Sequence, residues 1–310
     1  TSDSGRGARI DGDVNNDGSV TGHSENDIGM QVAGNLAGSG TASGSSTRPS
    51  YGTVLTGTVA GNALSGTSDL GAGTYIGDGA SVLSGSVSGD SARGAGVVIA
   101  GSVNNQSTIT GTSAQGPGAE LLSNVSLSGG GDVNGNSSQG TGVSITGNVG
   151  DNHVSGQSND GVGAEVGNGA AVGTDGTISG SSGNNGGVTI QGAVNNQGVI
   201  SGKSDFSTGT SLAGQMTGNG TVIGTGKGDV GVNVTGAVGT NRVEGHSETG
   251  PGVVLKDGAS VAAGGSVSGA SNGGSGVGIV GDVVSHGDIL GTAQNGRGVT
   301  VLGNLSGSGT

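Results

Sequence analysis

Residues 187–202 read G-V-T-I-Q-G-A-V-N-N-Q-G-V-I-S-G, and versions of this stretch recur along the whole chain. A recurring glycine divides the 310 residues into thirteen units of 21 to 24 residues and a partial fourteenth. Self-similarity at a period of about 20 to 50 residues is typical of architectures in which one supersecondary unit stacks on the next. The repeat is therefore a stronger indicator of the fold than any local sequence pattern.

Three aliphatic positions recur in each unit and are never occupied by a polar residue. Short segments such as 188–190 alternate with period two, which indicates strands with one buried face. Three buried positions per unit predict three short strands per coil and a triangular cross-section. At intervals of four units, this predicted ladder comprises Ile10, Val14, Val20, Ile99, Val103, Ile109, Ile190, Val194, Ile200, Ile279, Val283 and Ile289.

We therefore predict an all-β fold, a single parallel β-helix or β-solenoid of about 14 coils of about 22 residues, with a right-handed winding. A longer period overlies the coils, because V-N-N recurs at 14–16, 103–105 and 194–196. We expect one continuous segment, 1–310, of a longer chain. Its four-coil super-repeats span 1–89, 90–180, 181–269 and, in part, 270–310.

Glycine and serine mark fixed places in the unit. A glycine precedes the first strand of every coil, as at Gly7, Gly96, Gly187 and Gly276. Such a glycine is expected where the backbone needs positive φ or where no Cβ fits. A serine column is broken only at Gly226 and Ala293. We interpret these serines as corner residues that hydrogen-bond local backbone.

Composition excludes several classes of protein. The chain has 77 glycines and three prolines, so long helices and collagen are excluded. The formal net charge of −13 argues against nucleic acid and anionic membrane surfaces as partners. No apolar run approaches the roughly 20 residues needed to cross a bilayer, so we expect no membrane insertion. With no cysteine, backbone pairing and packing must hold the fold together.

The sequence contains only weak candidates for a metal-binding or catalytic site. Asp3, Glu25 and Asp69 share one column, which allows a weak calcium contact, although a solvated acidic edge is the simpler interpretation. Glu120 and Glu165 share another column but lie two coils apart. The four histidines occupy three different places in the unit. We predict no enzyme activity, no catalytic residues and no cofactor.

Two further functions, ice binding and action on polysaccharides, are less favoured by the sequence. Ice binding needs a flat face of aligned threonines, and the column that begins at Thr21 is mostly serine and is interrupted. A polysaccharide-acting β-helix enzyme needs clustered acids, which the pattern does not supply. The only aromatic residues are Phe206, Tyr51 and Tyr75, so the chain has few side chains that could stack on sugar rings in a groove.

The units at 142–149, G-V-S-I-T-G-N-V, and at 187–202 resemble repeats of large bacterial exoproteins. They are similar to the β-helical shafts of filamentous-haemagglutinin-type adhesins of two-partner secretion, and to autotransporter passengers. The resemblance implies a structural shaft of a secreted Gram-negative surface or biofilm-matrix adhesin, an extracellular location and an outer-membrane transporter outside this segment. Its partners would be an unknown receptor, glycan or matrix polysaccharide. The stalk of a contact-dependent toxin and a self-assembling extracellular fibre remain open alternatives.

Overall fold

The computed structural model describes every residue from Thr1 to Thr310 and contains strands and turns but no helix. The chain winds as a parallel β-solenoid of about 14 coils, which confirms the predicted fold class. It divides into two compact units, residues 1–157 and 158–310. The same coil design is found within each unit.

The first strand of successive coils forms the first wall. Adjacent copies pair in parallel and in register, so that Ala8, Arg9 and Ile10 lie beside Met30, Gln31 and Val32. In the first unit these strands are Ala8–Ile10, Met30–Val32, Thr53–Leu55, Thr74–Ile76, Val97–Ile99, Ala119–Leu121 and Val143–Ile145. In the second unit they are Ala164–Val166, Val188–Ile190, Thr210–Leu212, Val232–Val234, Val253–Lys256, Val277–Val280 and Val299–Val301.

The second wall is built from strands of two to four residues. In the first unit it comprises Val14–Asn15, Asn35–Ala37, Ser102–Asn105, Ser126–Ser128 and Asn148–Gly150. In the second unit it comprises Ala171–Val172, Ala193–Asn196, Gln215–Thr217, Ser260–Val261, Asp282–Ser285 and Asn304–Ser306. Coil 11 contributes only an isolated bridge at Ala237.

The third wall has the longest separate strands, of six residues each. They are Ser19–Ser24, Thr41–Ser46, Thr108–Ser113, Asp132–Ser137, His153–Ser158, Thr177–Ser182, Val199–Ser204, Thr221–Gly226, Arg242–Ser247, Ser266–Ser271 and Asp288–Ala293. In coils 3 and 4 the second and third strands join into single strands, Thr58–Ser68 and Ser81–Ser91. The corner is kept there by irregular pairing near Gly61 and Gly85, which have φ of 93° and 87°.

The predicted aliphatic ladder lies inside the coils. Ile99, Ile109, Ile190, Ile200 and Ile279 are fully buried, and Val103, Val194 and Val283 are 1 % exposed. Ile10 is 7 % exposed, Val20 and Ile289 are half-buried, and Val14 is 36 % exposed. These last positions lie towards the ends of the described stack, where an interior side chain is covered from one side only.

A further interior column is not apparent from the repeat pattern. Two side chains of each first-wall strand face the interior. The second of them along the chain belongs to the predicted ladder. The other is chemically mixed, and it is fully buried in coils 2 to 13: Met30, Thr53, Thr74, Val97, Ala119, Val143, Ala164, Val188, Thr210, Val232, Val253 and Val277. The threonines fit because their hydroxyls donate to third-wall carbonyls, as from Thr53 to Ser65 at 2.6 Å and from Thr210 to Ile223 at 2.7 Å.

The glycine before the first strand is required by space and not by backbone conformation. Gly7, Gly96, Gly187 and Gly276 all lack positive φ. A Cβ on Gly96 would lie 2.2 Å from the Thr112 nitrogen, and one on Gly187 would lie 2.1 Å from the Lys203 nitrogen. The first and third walls therefore meet backbone to backbone, and neither wall can move away without opening the interior.

Buried asparagines occur in alternate coils at the corner between the second and third walls. The column is Asn16, Asn62, Asn105, Asn152, Asn196 and Asn241, with Ser285 at the equivalent place in coil 13. Asn16 Nδ2 donates to Asn62 Oδ1 at 2.9 Å, and Asn196 Nδ2 donates to Asn241 Oδ1 at 3.3 Å. The side chains reach across the intervening coil because it carries glycine there: a Cβ on Gly40 would lie 2.7 Å from Asn16 Nδ2. The interior thus has a two-coil period within the four-coil sequence period.

Candidate functional site

The acidic residues that the sequence offered as a weak calcium site do not form a ligand cluster. Asp3, Glu25 and Asp69 are all exposed. No group of three or more histidine, aspartate or glutamate side chains is placed so that it could hold a metal ion. Asp69 lies instead in the wall of a surface groove.

Two histidines contact serine hydroxyls of the next coil. His23 Nδ1 lies 2.8 Å from Ser45 Oγ, and His286 Nδ1 lies 3.0 Å from Ser308 Oγ. An imidazole beside a hydroxyl is the arrangement of a base and its nucleophile. However, the strand that carries Ser45 pairs with a strand on each side, so its backbone N–H groups are not free to form an oxyanion hole. The His23–Ser45 pair therefore lacks backbone donors that could stabilise an oxyanion.

The serine column behaves as predicted and does more than fill a corner. In nine coils the hydroxyl accepts a hydrogen bond from the backbone N–H three residues later and donates one to a carbonyl of the preceding coil. Ser91, for example, accepts from Gly94 N at 2.8 Å and donates to Gly71 O at 2.8 Å. The same two bonds recur at Ser24, Ser68, Ser113, Ser137, Ser182, Ser204, Ser247 and Ser271. These hydroxyls therefore tie neighbouring loops together.

The gap at Gly226 has a steric cause. A Cβ at this position would lie 2.5 Å from the Val230 carbonyl oxygen. The loop of coil 11 turns back too closely for a serine to fit. This close approach was not visible in the repeat pattern.

Ser46 is the exception among the buried serines. It is only 3 % exposed, yet its hydroxyl has no hydrogen-bond partner. The residue three positions later is Pro49, which has no N–H to donate. An unpaired buried hydroxyl normally costs about 1 to 3 kcal/mol and calls for an explanation.

An open groove runs beside this column in the first unit, with a volume of about 440 Å³. Its floor is Ser46, Ser68, Ser91 and Ser113. One side is formed by the residues that precede these serines, namely Ser45, Thr67, Asp90 and Thr112, and the other by Thr47, Asp69, Ala92, Ala114 and Ser138. We call this the corner groove. It crosses coils 3 to 7, a length of about 20 Å at the usual strand spacing.

The equivalent corner of the second unit is occupied by charges. Lys227 Nζ lies 2.6 Å from Asp205 Oδ1 on the preceding coil. This hydrogen bond and the opposite charge lower the pKa of Asp205 and raise that of Lys227 relative to their ordinary values. Phe206, which is 74 % exposed, follows on the same loop. Only about 160 Å³ of groove remains nearby, lined by Thr225, His246 and Glu248 among others.

Two of the three aromatic residues meet on the surface. The rings of Tyr51 and Tyr75 lie with centroids 5.0 Å apart and planes tilted by 35°. Tyr51 is 37 % exposed. The sequence placed these residues in adjacent coils but gave no signal that their rings would touch.

No protein-family model, curated protein or solved structure matches the chain. The structure also contains no helix that is long and apolar enough to span a bilayer.

Proposed function

We propose that the chain is the structural shaft of a secreted bacterial surface or biofilm-matrix adhesin. In this role it holds binding regions away from the cell and so supports attachment between cells or to a matrix. The observation that supports the proposal is the repetition of the same coil-to-coil bonds along each unit. Within each unit, strand pairing links the first-wall strands to their neighbours, and serine hydroxyls link successive loops.

This design favours a mechanical role. In a stacked repeat each coil gains its stability from the coils on either side. The interior is filled by side chains and by close backbone contacts, and the ionisable groups lie outside it. The acidic, cysteine-free composition and the resemblance of the repeats to exoprotein shafts support an extracellular location and export through an outer-membrane transporter.

A display experiment tests the shaft. The full chain is placed on a Gram-negative cell between an outer-membrane anchor and a distal peptide-binding domain, and capture of peptide-coated beads is measured under flow. We expect the native chain to support capture. A variant carrying Gly66→Ala, Gly111→Ala and Gly202→Ala should lose it, because each added Cβ would meet backbone at 2.0 to 2.1 Å.

The matched control is Gly12→Ala, since a Cβ there meets nothing within 4 Å. Surface amounts are equalised with an antibody against the distal domain. Equal capture by the triple variant and the native chain would overturn the proposal, because an unfolded tether of the same length would then serve as well.

A further inference from the structure

We propose that the corner groove of the first unit binds a neutral, hydroxyl-rich saccharide chain that lies parallel to the stacking direction of the coils. This goes beyond the shaft function, because a spacer needs no ligand. The proposal depends on the shape of the groove, on the groups that line it and on the unpaired hydroxyl in its floor.

The groove has the form of a site for an extended polymer. Its sides are columns of residues in register on successive coils: Ser45 lies beside Thr67, Thr67 beside Asp90, and Asp90 beside Thr112. Equivalent groups thus recur about every 4.8 Å. A chain molecule laid along the groove would meet the same kind of contact at each coil.

The lining groups match sugar hydroxyls. Thr67, Thr112 and Ser138 each offer a hydroxyl that can donate and accept, whereas the Thr47 hydroxyl donates to Glu25 O at 3.3 Å and can still accept. Asp69 and Asp90 are exposed carboxylates, which accept hydrogen bonds from hydroxyl groups. The groove therefore offers both donors and acceptors, as a polyol requires.

Two arginines extend this set of donors. Arg48 directly follows Thr47, and Arg93 directly follows Ala92. Both are exposed, and neither forms a salt bridge. They occupy the same loop position two coils apart, about 10 Å along the groove.

A peptide fits this groove less well than a saccharide. Peptides bind to sheets mainly by adding a strand to a free edge, which requires unpaired backbone groups. Here the strands that carry Thr67, Asp90 and Thr112 are paired in the ladder on both sides. On the opposite side, the Ala92, Ala114 and Ser138 nitrogens donate to Ser68, Ser91 and Ser113 carbonyls. Few backbone groups therefore remain for an added strand, and a ligand would contact mainly side chains.

The unpaired Ser46 hydroxyl is the second observation that indicates a ligand. Ser68, Ser91 and Ser113 in the same floor are each fixed by two hydrogen bonds. Ser46 has none, so its hydroxyl can rotate about the Cα–Cβ bond towards a bound group without breaking any bond. A sugar hydroxyl at this end of the groove would supply the missing partner.

Charge selects a neutral polymer over an acidic one. The chain carries a formal net charge of −13, and Asp69 and Asp90 lie in the groove itself. The exposed Arg48 and Arg93 beside the groove balance these two carboxylates locally, so it is the net charge of the chain that disfavours a polyanion.

Affinity electrophoresis of the full chain tests the proposal. Native gels contain dextran, galactomannan or hydroxyethylcellulose as neutral polymers, or alginate as an acidic one. We expect retardation by at least one neutral polymer and none by alginate. The double variant Ala92→Gln and Ala114→Gln should abolish retardation, because long side chains would fill the groove from exposed positions. The control is Asn159→Gln, at the same loop position in the second unit.

A second pair of variants keeps the shape of the groove and removes its hydroxyls. Thr67→Val and Thr112→Val should each weaken binding by roughly fivefold, the effect of one lost hydrogen bond. Thr225→Val, in the equivalent column of the second unit, should have no effect. Circular dichroism confirms that each variant is folded.

Three outcomes would overturn the proposal. These are no retardation by any neutral polymer, retardation by alginate alone, and equal retardation of the native chain and the Ala92→Gln, Ala114→Gln variant. None of them bears on bead capture by the displayed chain, so the proposal can fail while the shaft function stands.

Discussion

The same corner of the solenoid has two different surfaces in the two units. In coils 3 to 7 it is an open groove lined by hydroxyls, whereas in coils 10 and 11 the Lys227–Asp205 ion pair links the loops and Phe206 stands exposed beside it. Beneath both surfaces the interior is the same. A Cβ added to Gly111 would lie 2.0 Å from a carbonyl oxygen and one added to Gly202 would lie 2.1 Å from another, and paired asparagines cross a glycine coil in each unit.

This difference shows how the fold separates stability from surface chemistry. Inward positions are held by close packing, in which even one added carbon must displace its neighbours. Outward positions at the corner face solvent and are not under that constraint. The design can therefore present an open, hydroxyl-lined groove in one unit and an ion-paired surface in the other.

The largest effect is expected from the glycines below the corner. Gly111→Ala and Gly202→Ala place a Cβ 2.0 and 2.1 Å from a carbonyl oxygen, so each should lower the free energy of unfolding by about 3 kcal/mol or more. Denaturant unfolding followed by circular dichroism measures the loss. Gly12→Ala is the control and should stay within about 0.5 kcal/mol. A loss in only one unit would break the claim that the two interiors are equivalent.

The buried asparagines should give the next largest effect. Asn62→Leu leaves the Gly38 carbonyl without the donor it has at 3.0 Å, and Asn241→Leu removes the donor to Val238 O at 3.1 Å. Each should cost about 2 kcal/mol, because each change removes a donor to buried carbonyls and the Oδ1 that accepts from the paired asparagine two coils away. Hydrogen exchange at amides of the same coils localises the effect. If leucine is tolerated at both places, the asparagines are not needed for stability and the two-coil period is incidental.

The floor of the corner groove allows a comparison within one unit. Ser91→Ala removes two hydrogen bonds and should cost about 1 to 2 kcal/mol, whereas Ser46→Ala removes none and should be near neutral. Thermal unfolding of the two variants side by side is the measurement. Equal losses would mean that Ser46 has a partner in solution, and would weaken the case for a ligand at that end of the groove.

The smallest effect is expected from the ion pair on the second unit. Lys227 lowers the pKa of Asp205, so the pair contributes stability above the ordinary carboxyl pKa of 3.8 and loses it as pH falls through the lowered value. The pKa of Lys227 is raised, so its contribution persists up to 10.5 and is lost above that. Both side chains are about half exposed, so salt should screen the effect. In Lys227→Met, an NMR titration should show the pKa of Asp205 returning towards 3.8, and an unchanged value would contradict the pairing.

The repeat pattern was sufficient for the coil and for most of its interior. Ile99, Val103 and Ile109 could be placed inside because alternation along a strand reports which residues face inward. The repeat pattern did not reveal the interior column that contains Thr53. A threonine can face either the interior or solvent, and the sequence does not show which partner its hydroxyl has. Asn62 was likewise missed, since its acceptor lies on the preceding coil and its donor two coils away.

The sequence by itself therefore determined the period, the three walls, the serine corner and the need for glycine before each first strand. Only the tertiary structure decided why that glycine is needed, why Ser46 lacks a partner and where an open groove lies. The physical reason is that periodicity encodes the direction of each side chain, while these features depend on which atoms of separate segments come within a few ångströms of one another. Gly66 and Gly73 illustrate the point: each is an unremarkable repeat glycine in sequence, but a Cβ on the first would lie 2.0 Å from the carbonyl oxygen of the second.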